Sequence, residues 1–181
     1  MKTRYLLLVL PLCGLLTASS CKKEAAANDD YIVRENNQEF GAYLNGQPWK
    51  PNYRDAGNGI GPIDVAIYFD PVDRYHYMWV RALKTNEEIS LYIPPPLVPG
   101  RKLLNQSTIP YPYNLEPLAY GLYEVYSPNK KFITNNIVSG YIDIISCDTI
   151  GKKVEARFEY EAINTATNEK VTISNGSFKK N

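Results

Sequence analysis

Fifteen tyrosines among 181 residues are the group of side chains whose number and spacing most clearly suggest a chemical role. Along the segment 75–84, alternate residues are aromatic or cationic, and those between them are mostly apolar. The first set is Tyr75, Tyr77, Trp79 and Arg81, and the second is His76, Met78, Val80 and Ala82. Because alternate side chains of a strand point to opposite faces, an apolar set facing the core leaves the aromatic set facing outward.

An outward strip of this kind would be a binding surface, since aromatic rings stack on sugars or peptides while their polar tips remain hydrated. Tyr92 and Tyr126 extend the strip on neighbouring strands. The same residues fit a second interpretation, in which Tyr77 and Trp79 fill the core or a proline-rich connection covers them. The sequence favours this second interpretation, because aromatic side chains are ordinary core residues.

Side chains suited to catalysis are few. The single histidine, His76, has no Ser or Cys motif beside it to activate. Carboxylate pairs of the kind used in glycoside hydrolysis are present, but Asp70 and Asp73 fall in a predicted turn. A second acidic set alternates along a predicted strand: Glu155, Glu159 and Glu161. Together with Arg157 it indicates a solvated face. We therefore predict no catalytic residues, and an enzyme using paired carboxylates ranks third among the functions considered.

Metal, cofactor and nucleic-acid sites are not predicted either. Asp55, Asn58 and Asp64 offer oxygen ligands for calcium but lack the spacing of a calcium loop. The glycine-rich run 57–61 precedes a predicted strand instead of opening a helix, and no Lys-Ser/Thr pair follows it, unlike a phosphate loop. A formal net charge of +1 gives no basic surface for nucleic acid.

The N-terminus has the layout of a secretion signal. Lys2 and Arg4 precede an uncharged stretch, residues 5–16, which is shorter than the roughly 18 residues of a membrane-spanning helix. The small residues before Cys21 resemble a bacterial lipobox, which implies that Cys21 is lipidated and anchors the protein to a membrane. The predicted division is 1–20 signal peptide, 21–38 lipidated Cys21 and flexible tether, and 39–181 a single β domain.

From Glu39 onward the hydrophobic period is two, which indicates strands with one buried face. Clear alternation occurs in 63–69, 88–93 and 154–162. Further candidate strands, separated by turn residues, are 40–44, 76–84, 120–127, 138–147 and 170–178. Short strands at regular spacing predict an all-β fold, an antiparallel β-sandwich or barrel-like sandwich of about 8–9 strands.

Residues 94–117 interrupt this rhythm, since they contain seven of the 13 prolines. Proline lacks an amide donor, so this segment does not suit a central strand. We expect an extended Pro/Tyr-rich connection, which carries Tyr111 and Tyr113, lying across one face or end of the sandwich.

Two parts of the domain carry a family resemblance. Residues 40–49 (FGAYLNGQPW) combine a strand, an Asn-Gly turn and a Trp, and the C-terminal half ends in a three-stranded meander over 139–144, 154–160 and 171–178. Both features resemble small envelope lipoproteins of Bacteroidota, a family of unknown function. The resemblance implies an all-β fold and an envelope location, with no catalytic residues to transfer. By analogy with lipoprotein sorting, Lys22 favours the outer membrane.

One short motif concerns modification. Asp148-Thr149-Ile150 resembles the acceptor for protein O-glycosylation in the envelopes of these bacteria, so Thr149 is a predicted glycosylation site at a hairpin tip. The features together predict a lipid-anchored, non-catalytic binding module, with a glycan as its first candidate ligand and a peptide as its second. The alternative is a structural or assembly protein that binds another envelope protein through a sheet edge or the proline-rich face.

Overall fold

Twelve β-strands and no α-helix form the described part of the chain, residues 31–53 and 61–181 of a computed structural model. Within these residues there is no helix long and apolar enough to cross a membrane. The strands are β1 (Val33–Glu35), β2 (Gln38–Leu44), β3 (Gln47–Trp49), β4 (Ile63–Asp70), β5 (Tyr75–Lys84), β6 (Glu87–Ile93), β7 (Gly100–Leu103), β8 (Tyr120–Val125), β9 (Lys130–Ile133), β10 (Gly140–Asp148), β11 (Lys153–Ile163) and β12 (Lys170–Lys180).

These strands form one antiparallel sheet that curls into a nearly closed, barrel-like wall. Its continuous path runs in the order β1-β2-β12-β11-β9-β8-β6-β5-β4. Off this path, β3 pairs with β2, and β10 pairs with both β11 and β7. The predicted all-β, antiparallel, barrel-like fold is confirmed.

Hydrophobic alternation places the core inside this wall. In β11 the apolar positions are buried and the charged positions between them are half-buried or exposed. Burying one large apolar side chain contributes about 1.5–3 kcal/mol, so the apolar residues of one strand together strongly favour the orientation in which they face the core. The buried residues of β11 are Val154, Ala156, Phe158, Tyr160, Ala162 and Ile163.

Four strands were not predicted from the sequence: β1, β3, β7 and β9. Each has only three or four residues, too few for a period of two to stand out. Because β1 and the first residue of β2 fall within 21–38, the sheet begins inside the segment expected to be a flexible tether. Similarly, β7 interrupts the Pro/Tyr-rich connection, where the four residues Gly100–Leu103 contain no proline and pair with β10.

Two side chains link β4, at one end of the curled sheet, to strands near its other end. The Gln38 Oε1 atom, at the start of β2, accepts a hydrogen bond from the Val65 N–H of β4. The Lys180 Nζ atom, at the end of β12, donates to the Val65 carbonyl oxygen at 2.7 Å. An edge strand leaves backbone groups unpaired, and these two bonds satisfy both groups of Val65 on the edge of β4.

The sheet divides into two branches at Tyr160 of β11. Tyr160 lies opposite Gly140 of β10, whereas Ile163, three residues further on, pairs with β9. A Cβ atom added at Gly121 of β8 would lie 2.7 Å from the Tyr160 ring, and one added at Gly140 would lie 2.6 Å from the Tyr160 Cβ atom. The Tyr160 hydroxyl donates a hydrogen bond to the Leu122 carbonyl oxygen at 3.0 Å. One buried side chain therefore joins β8, β10 and β11.

Replacing Tyr160 by Phe keeps the ring and removes this buried hydrogen bond. We expect Tyr160→Phe to lower the free energy of unfolding by about 1 kcal/mol, the net contribution of a typical intramolecular hydrogen bond. Urea denaturation measures the change. The control is Tyr113→Phe, since Tyr113 is 83% exposed and its variant should stay within about 0.5 kcal/mol of the unaltered protein. Equal effects of the two substitutions would contradict the role of Tyr160.

Candidate functional site

The outer surface of β4, β5, β6 and β8 carries a cluster of rings, which we call the aromatic face. The alternation predicted for 75–84 is confirmed, since Met78, Val80 and Ala82 are fully buried inside the wall. The strand register aligns Trp79 with Tyr92, and Tyr92 with a further ring on β8. The aromatic face comprises Tyr68, Tyr75, Tyr77, Trp79, Tyr92, Tyr111 and Tyr120.

The rings of the aromatic face contact mainly one another. The Tyr92 ring lies within 10° of parallel to both Tyr120, at 5.7 Å between centroids, and Tyr111, at 6.3 Å. Tyr111 also meets Trp79 edge-on at 5.2 Å. Each such pair contributes about 0.5–1.5 kcal/mol beyond its area burial. Since Tyr111 belongs to the Pro/Tyr-rich connection, that connection packs onto the predicted strip.

This packing leaves the strip unevenly accessible. Tyr92 is only 2% exposed, and the Trp79 Nε1 atom is shielded from solvent with no hydrogen-bond partner in the described part of the chain. The Tyr120 hydroxyl is hydrogen-bonded to the Tyr111 backbone, and burial raises the pKa of Tyr120 to about 12. Of the other strip residues, Tyr75, Tyr77, Trp79 and Arg81 are half-buried and Tyr126 is exposed. The Pro/Tyr-rich connection therefore covers Trp79 and Tyr92, in agreement with the second interpretation of the sequence, in which this connection covers the strip.

Truncating Tyr111 should uncover Trp79. We expect Tyr111→Ala to lower the free energy of unfolding by about 1–2 kcal/mol, less than the loss for a fully buried ring. It should also make Trp79 fluorescence more accessible to acrylamide, while Trp49, which is 1% exposed, stays protected. Tyr113→Ala, in the same connection, is the matched control and should change neither quantity. Unchanged quenching in Tyr111→Ala would show that Tyr111 does not cover Trp79.

The polar end of the strip is held by an ion pair. The Arg81 guanidinium donates two hydrogen bonds to Glu88, at 2.8 and 3.1 Å, and the hydroxyls of Ser90 and Tyr126 donate to the same carboxylate. Burial would raise the pKa of Glu88, but these hydrogen bonds together lower it. The hydrogen bond to Glu88 raises the pKa of Arg81. The polar groups of Arg81 and Tyr126 thus serve an internal network.

This network predicts a specific pH dependence. Because the folded-state pKa of Glu88 lies below its ordinary value of 4.5, its stabilisation is present above that value and is lost as the pH falls through the folded-state pKa. We expect Glu88→Gln to destabilise the protein by about 2 kcal/mol at pH 7, since Arg81 loses its charged partner. The difference between the two proteins in urea denaturation should shrink steadily below pH 4.5. A difference that is the same at pH 7 and pH 3 would contradict the role of Glu88.

A broad depression, which we call the polar trough, lies on the outer surface of β10, β11, β12 and β2. Its volume is about 890 Å³, within the range of roughly 300–1,000 Å³ that is usual for ligand pockets. A β-bulge lies in its floor, where the register of β12 against β2 shifts between Ser174 and Ser177 and Asn175 has a φ of 49°. Bulges bend and twist a strand, which favours a concave surface. Gly176 is required here, because a Cβ atom would lie 2.4 Å from the Phe158 ring.

Charged side chains cross the polar trough in two rows set by the strand register. The first row is Arg101, Asp143 and Arg157, and the second is Glu155, Lys179, Glu39 and Arg34. Three ion pairs form within these rows: Arg101–Asp143 at 2.6 Å, Arg34–Glu39 at 3.3 Å and Lys179–Glu155 at 3.6 Å. Arg157, which is exposed, forms no ion pair with any described residue. The centre of the trough therefore offers one uncommitted guanidinium.

The carboxylate of Glu159, two residues from Arg157 on β11, is held by hydrogen bonds from an aromatic hydroxyl and a backbone N–H. Glu159 accepts hydrogen bonds from the Tyr141 hydroxyl at 3.2 Å and from the Asn175 N–H at 3.4 Å. The Arg101 guanidinium lies 3.8 Å from the centroid of the Tyr141 ring. Burial and the nearby Glu159 carboxylate raise the pKa of Tyr141, so its hydroxyl stays a donor at neutral pH.

Two aromatic residues border the polar trough on opposite sides. Tyr141 belongs to β10, and Tyr31 packs against Gly41 and Tyr43 of β2. β10 and β2 are three strand spacings apart, which is about 14 Å. The trough therefore combines aromatic borders with a floor of charged, amide and hydroxyl groups, including Ser177.

Three of the four trough carboxylates are bonded to cationic side chains. A general acid in glycoside hydrolysis needs a raised pKa. The hydrogen bonds from Arg101 instead lower the pKa of Asp143, and Glu155 and Glu39 are ion-paired. Within the described residues, no group of three or more His, Cys, Asp and Glu side chains could hold a metal ion.

The remaining predicted residues lie apart from both surfaces. Thr149 is half-buried in the turn between β10 and β11, where the Asp148 carboxylate accepts hydrogen bonds from the backbone N–H groups of Ile150 and Gly151. His76 is half-buried with its ring 5.1 Å from that of Phe69. Asp70 and Asp73 form the turn before β5, as predicted. Cys21, Asp55 and Asn58 lie outside the described residues.

Sequence reasoning missed the polar trough. The alternation of Glu155, Arg157 and Glu159 was correctly assigned to the outer face of a strand, but an alternating charged pattern is the same on a convex and on a concave surface. The available signal was Asn175-Gly176 inside a strand pattern, since an internal glycine often marks a bulge. Comparisons with protein families, curated proteins and solved structures find no match to this chain.

Proposed function

We propose that this protein is a lipid-anchored, non-catalytic binding module of a bacterial envelope, and that it binds a short glycan in the polar trough. The observation that carries the proposal is the trough itself, a depression of about 890 Å³ with aromatic borders and a hydrogen-bonding floor. The lipid anchor and the envelope location rest on Cys21 and the residues that precede it.

The charge balance of the trough favours a ligand rich in hydroxyl groups. Two cationic side chains line the trough and two more, Arg34 and Arg101, lie at its border, and together they match the four carboxylates of its lining, so no single sign of charge dominates the surface. Carboxylates accept hydrogen bonds from hydroxyls, while guanidinium, amide and hydroxyl groups donate to them. The charged residues are Arg34, Arg101, Arg157, Lys179, Glu39, Asp143, Glu155 and Glu159.

The aromatic face is the weaker candidate for the same ligand. Its central rings already stack on one another and on Tyr111. A sugar would have to displace the Pro/Tyr-rich connection to reach Trp79 or Tyr92, and the lost contacts would oppose binding. Tyr75 and Tyr68, at the border of this face, are the members that a ligand can reach without displacement.

A glycan array followed by isothermal titration of the best ligand tests the proposal. We expect binding by the full chain, and a loss of about two- to tenfold in affinity for Tyr141→Ala, as for one aromatic contact of about 0.5–1.5 kcal/mol. Tyr75→Ala, on the aromatic face, is the matched control and should bind normally. Loss of binding in Tyr75→Ala with normal binding in Tyr141→Ala would move the site to the aromatic face.

A second candidate function is assembly with another envelope protein. The observation that favours it is a set of exposed apolar side chains on the Pro/Tyr-rich connection: Ile109, Tyr113, Leu115 and Leu118. Exposed apolar patches often mark protein interaction sites. An empty glycan array, combined with crosslinking of residues 109–118 to one envelope protein in intact cells, would favour assembly over glycan binding.

A further inference from the structure

We propose that Arg157 makes the polar trough selective for an acidic glycan, one that carries a carboxylate on a sugar ring. This inference rests on the proposed function, since it names the ligand class of the same trough. It depends on which of the four cationic side chains that line or border the trough are already paired with a carboxylate of the protein.

Three of these cations are already occupied. Arg101 donates two hydrogen bonds to Asp143, at 2.6 and 2.7 Å, and lies over the Tyr141 ring. Lys179 is 3.6 Å from Glu155, and the fourth border cation is paired with Glu39. A ligand anion would have to compete with a protein carboxylate at each of these positions.

Arg157 differs from the other three cations in its position and in having no ion-pair partner among the described residues. It lies between Asp143 and Ser177 in the strand register, on the central strand of the trough floor, and its side chain is exposed. A guanidinium presents donors in a planar fork that matches the two oxygens of a carboxylate. Because no described residue forms an ion pair with Arg157, a carboxylate from the ligand can take this position without breaking an existing one.

The neighbouring charges limit the ligand to one negative charge near Arg157. Asp143 lies directly opposite Arg157 on β10 and is hydrogen-bonded to Arg101. Glu155 and Glu159 lie two residues before and two residues after Arg157 on β11, and Glu159 is hydrogen-bonded to Tyr141 and Asn175. These carboxylates disfavour a doubly charged phosphate monoester more than a singly charged carboxylate, since the repulsion scales with the ligand charge. The sugar hydroxyls beside the carboxylate then meet Glu159 and Ser177, which accept or donate hydrogen bonds.

Matched pairs of ligands test the selectivity. The probes are short oligosaccharides of galacturonic acid and of glucuronic acid, each compared with its methyl ester, which keeps every ring and hydroxyl and removes the charge. Isothermal titration of the full chain should show at least tenfold tighter binding of the acid than of the ester, which is about 1.4 kcal/mol. The ratio should fall with added salt, because the contact is partly exposed.

Two variants locate the effect. Arg157→Gln removes the charge but keeps an N–H donor, so it should reduce the ratio to about one, mainly by weakening the binding of the acid. Lys50→Gln removes the same charge from an exposed position outside the trough and should keep the ratio. Equal binding of acid and ester, or a ratio that survives Arg157→Gln, would overturn the selectivity while leaving glycan binding intact. Failure of all these acids and esters to bind would overturn the selectivity alone if the glycan array finds another ligand, and together with an empty array it would overturn the proposed function as well.

Discussion

Burial of Tyr160 at the point where the sheet divides is the constraint on which both outer surfaces depend. Its ring excludes a side chain at Gly121, its Cβ atom excludes one at Gly140, and its hydroxyl donates a hydrogen bond to the Leu122 carbonyl oxygen. On one side of this point the sheet continues from β11 through β9 and β8 to the strands of the aromatic face. On the other side, β10 and β7 extend the wall that carries the polar trough. A change at this position would therefore alter the relative placement of two surfaces whose own residues are untouched.

The side chains of the two surfaces have different kinds of contact partner. On the aromatic face, the rings stack on each other and on Tyr111, and Arg81 and Tyr126 are bonded to Glu88. That surface behaves as a second, smaller core beneath a proline-rich cover. In the polar trough, most charges are paired within the strand rows, but Arg157 has no ion-pair partner in residues 31–53 and 61–181, and these residues leave the space above the rows open. For the proposed ligand this depression is the better candidate, because a ligand anion can reach Arg157 without breaking an ion pair between described residues.

The sequence predicted the strands with the longest alternation and missed what depends on distant contacts. In β4, β5 and β11 the buried and outward positions mostly follow the sequence pattern, because a period of two directly reports a half-buried strand. Phe69, near the end of β4, is the exception, since it falls on the predicted core side but is 53% exposed. The pairing of Val65 with Gln38 and Lys180 joins residues far apart in the chain, which no local pattern encodes. The trough depends on a bulge at Asn175 and on the curvature of four strands. Neither feature changes the alternation of charges in the sequence, so the pattern indicates only a solvated face. A cover over Trp79 belongs to the interpretation that the sequence favours, but the sequence does not identify Tyr111 as the ring that provides it.

Mapping of amide chemical-shift changes on the ¹⁵N-labelled chain, during titration with an oligosaccharide that it binds, is the most direct test of the central claim. If the polar trough is the binding site, the largest changes should fall on β10, β11 and β12, at Asp143, Arg157 and Ser177. Changes concentrated on β5 and β6, around Tyr77 and Tyr92, would contradict this assignment and return the site to the aromatic face.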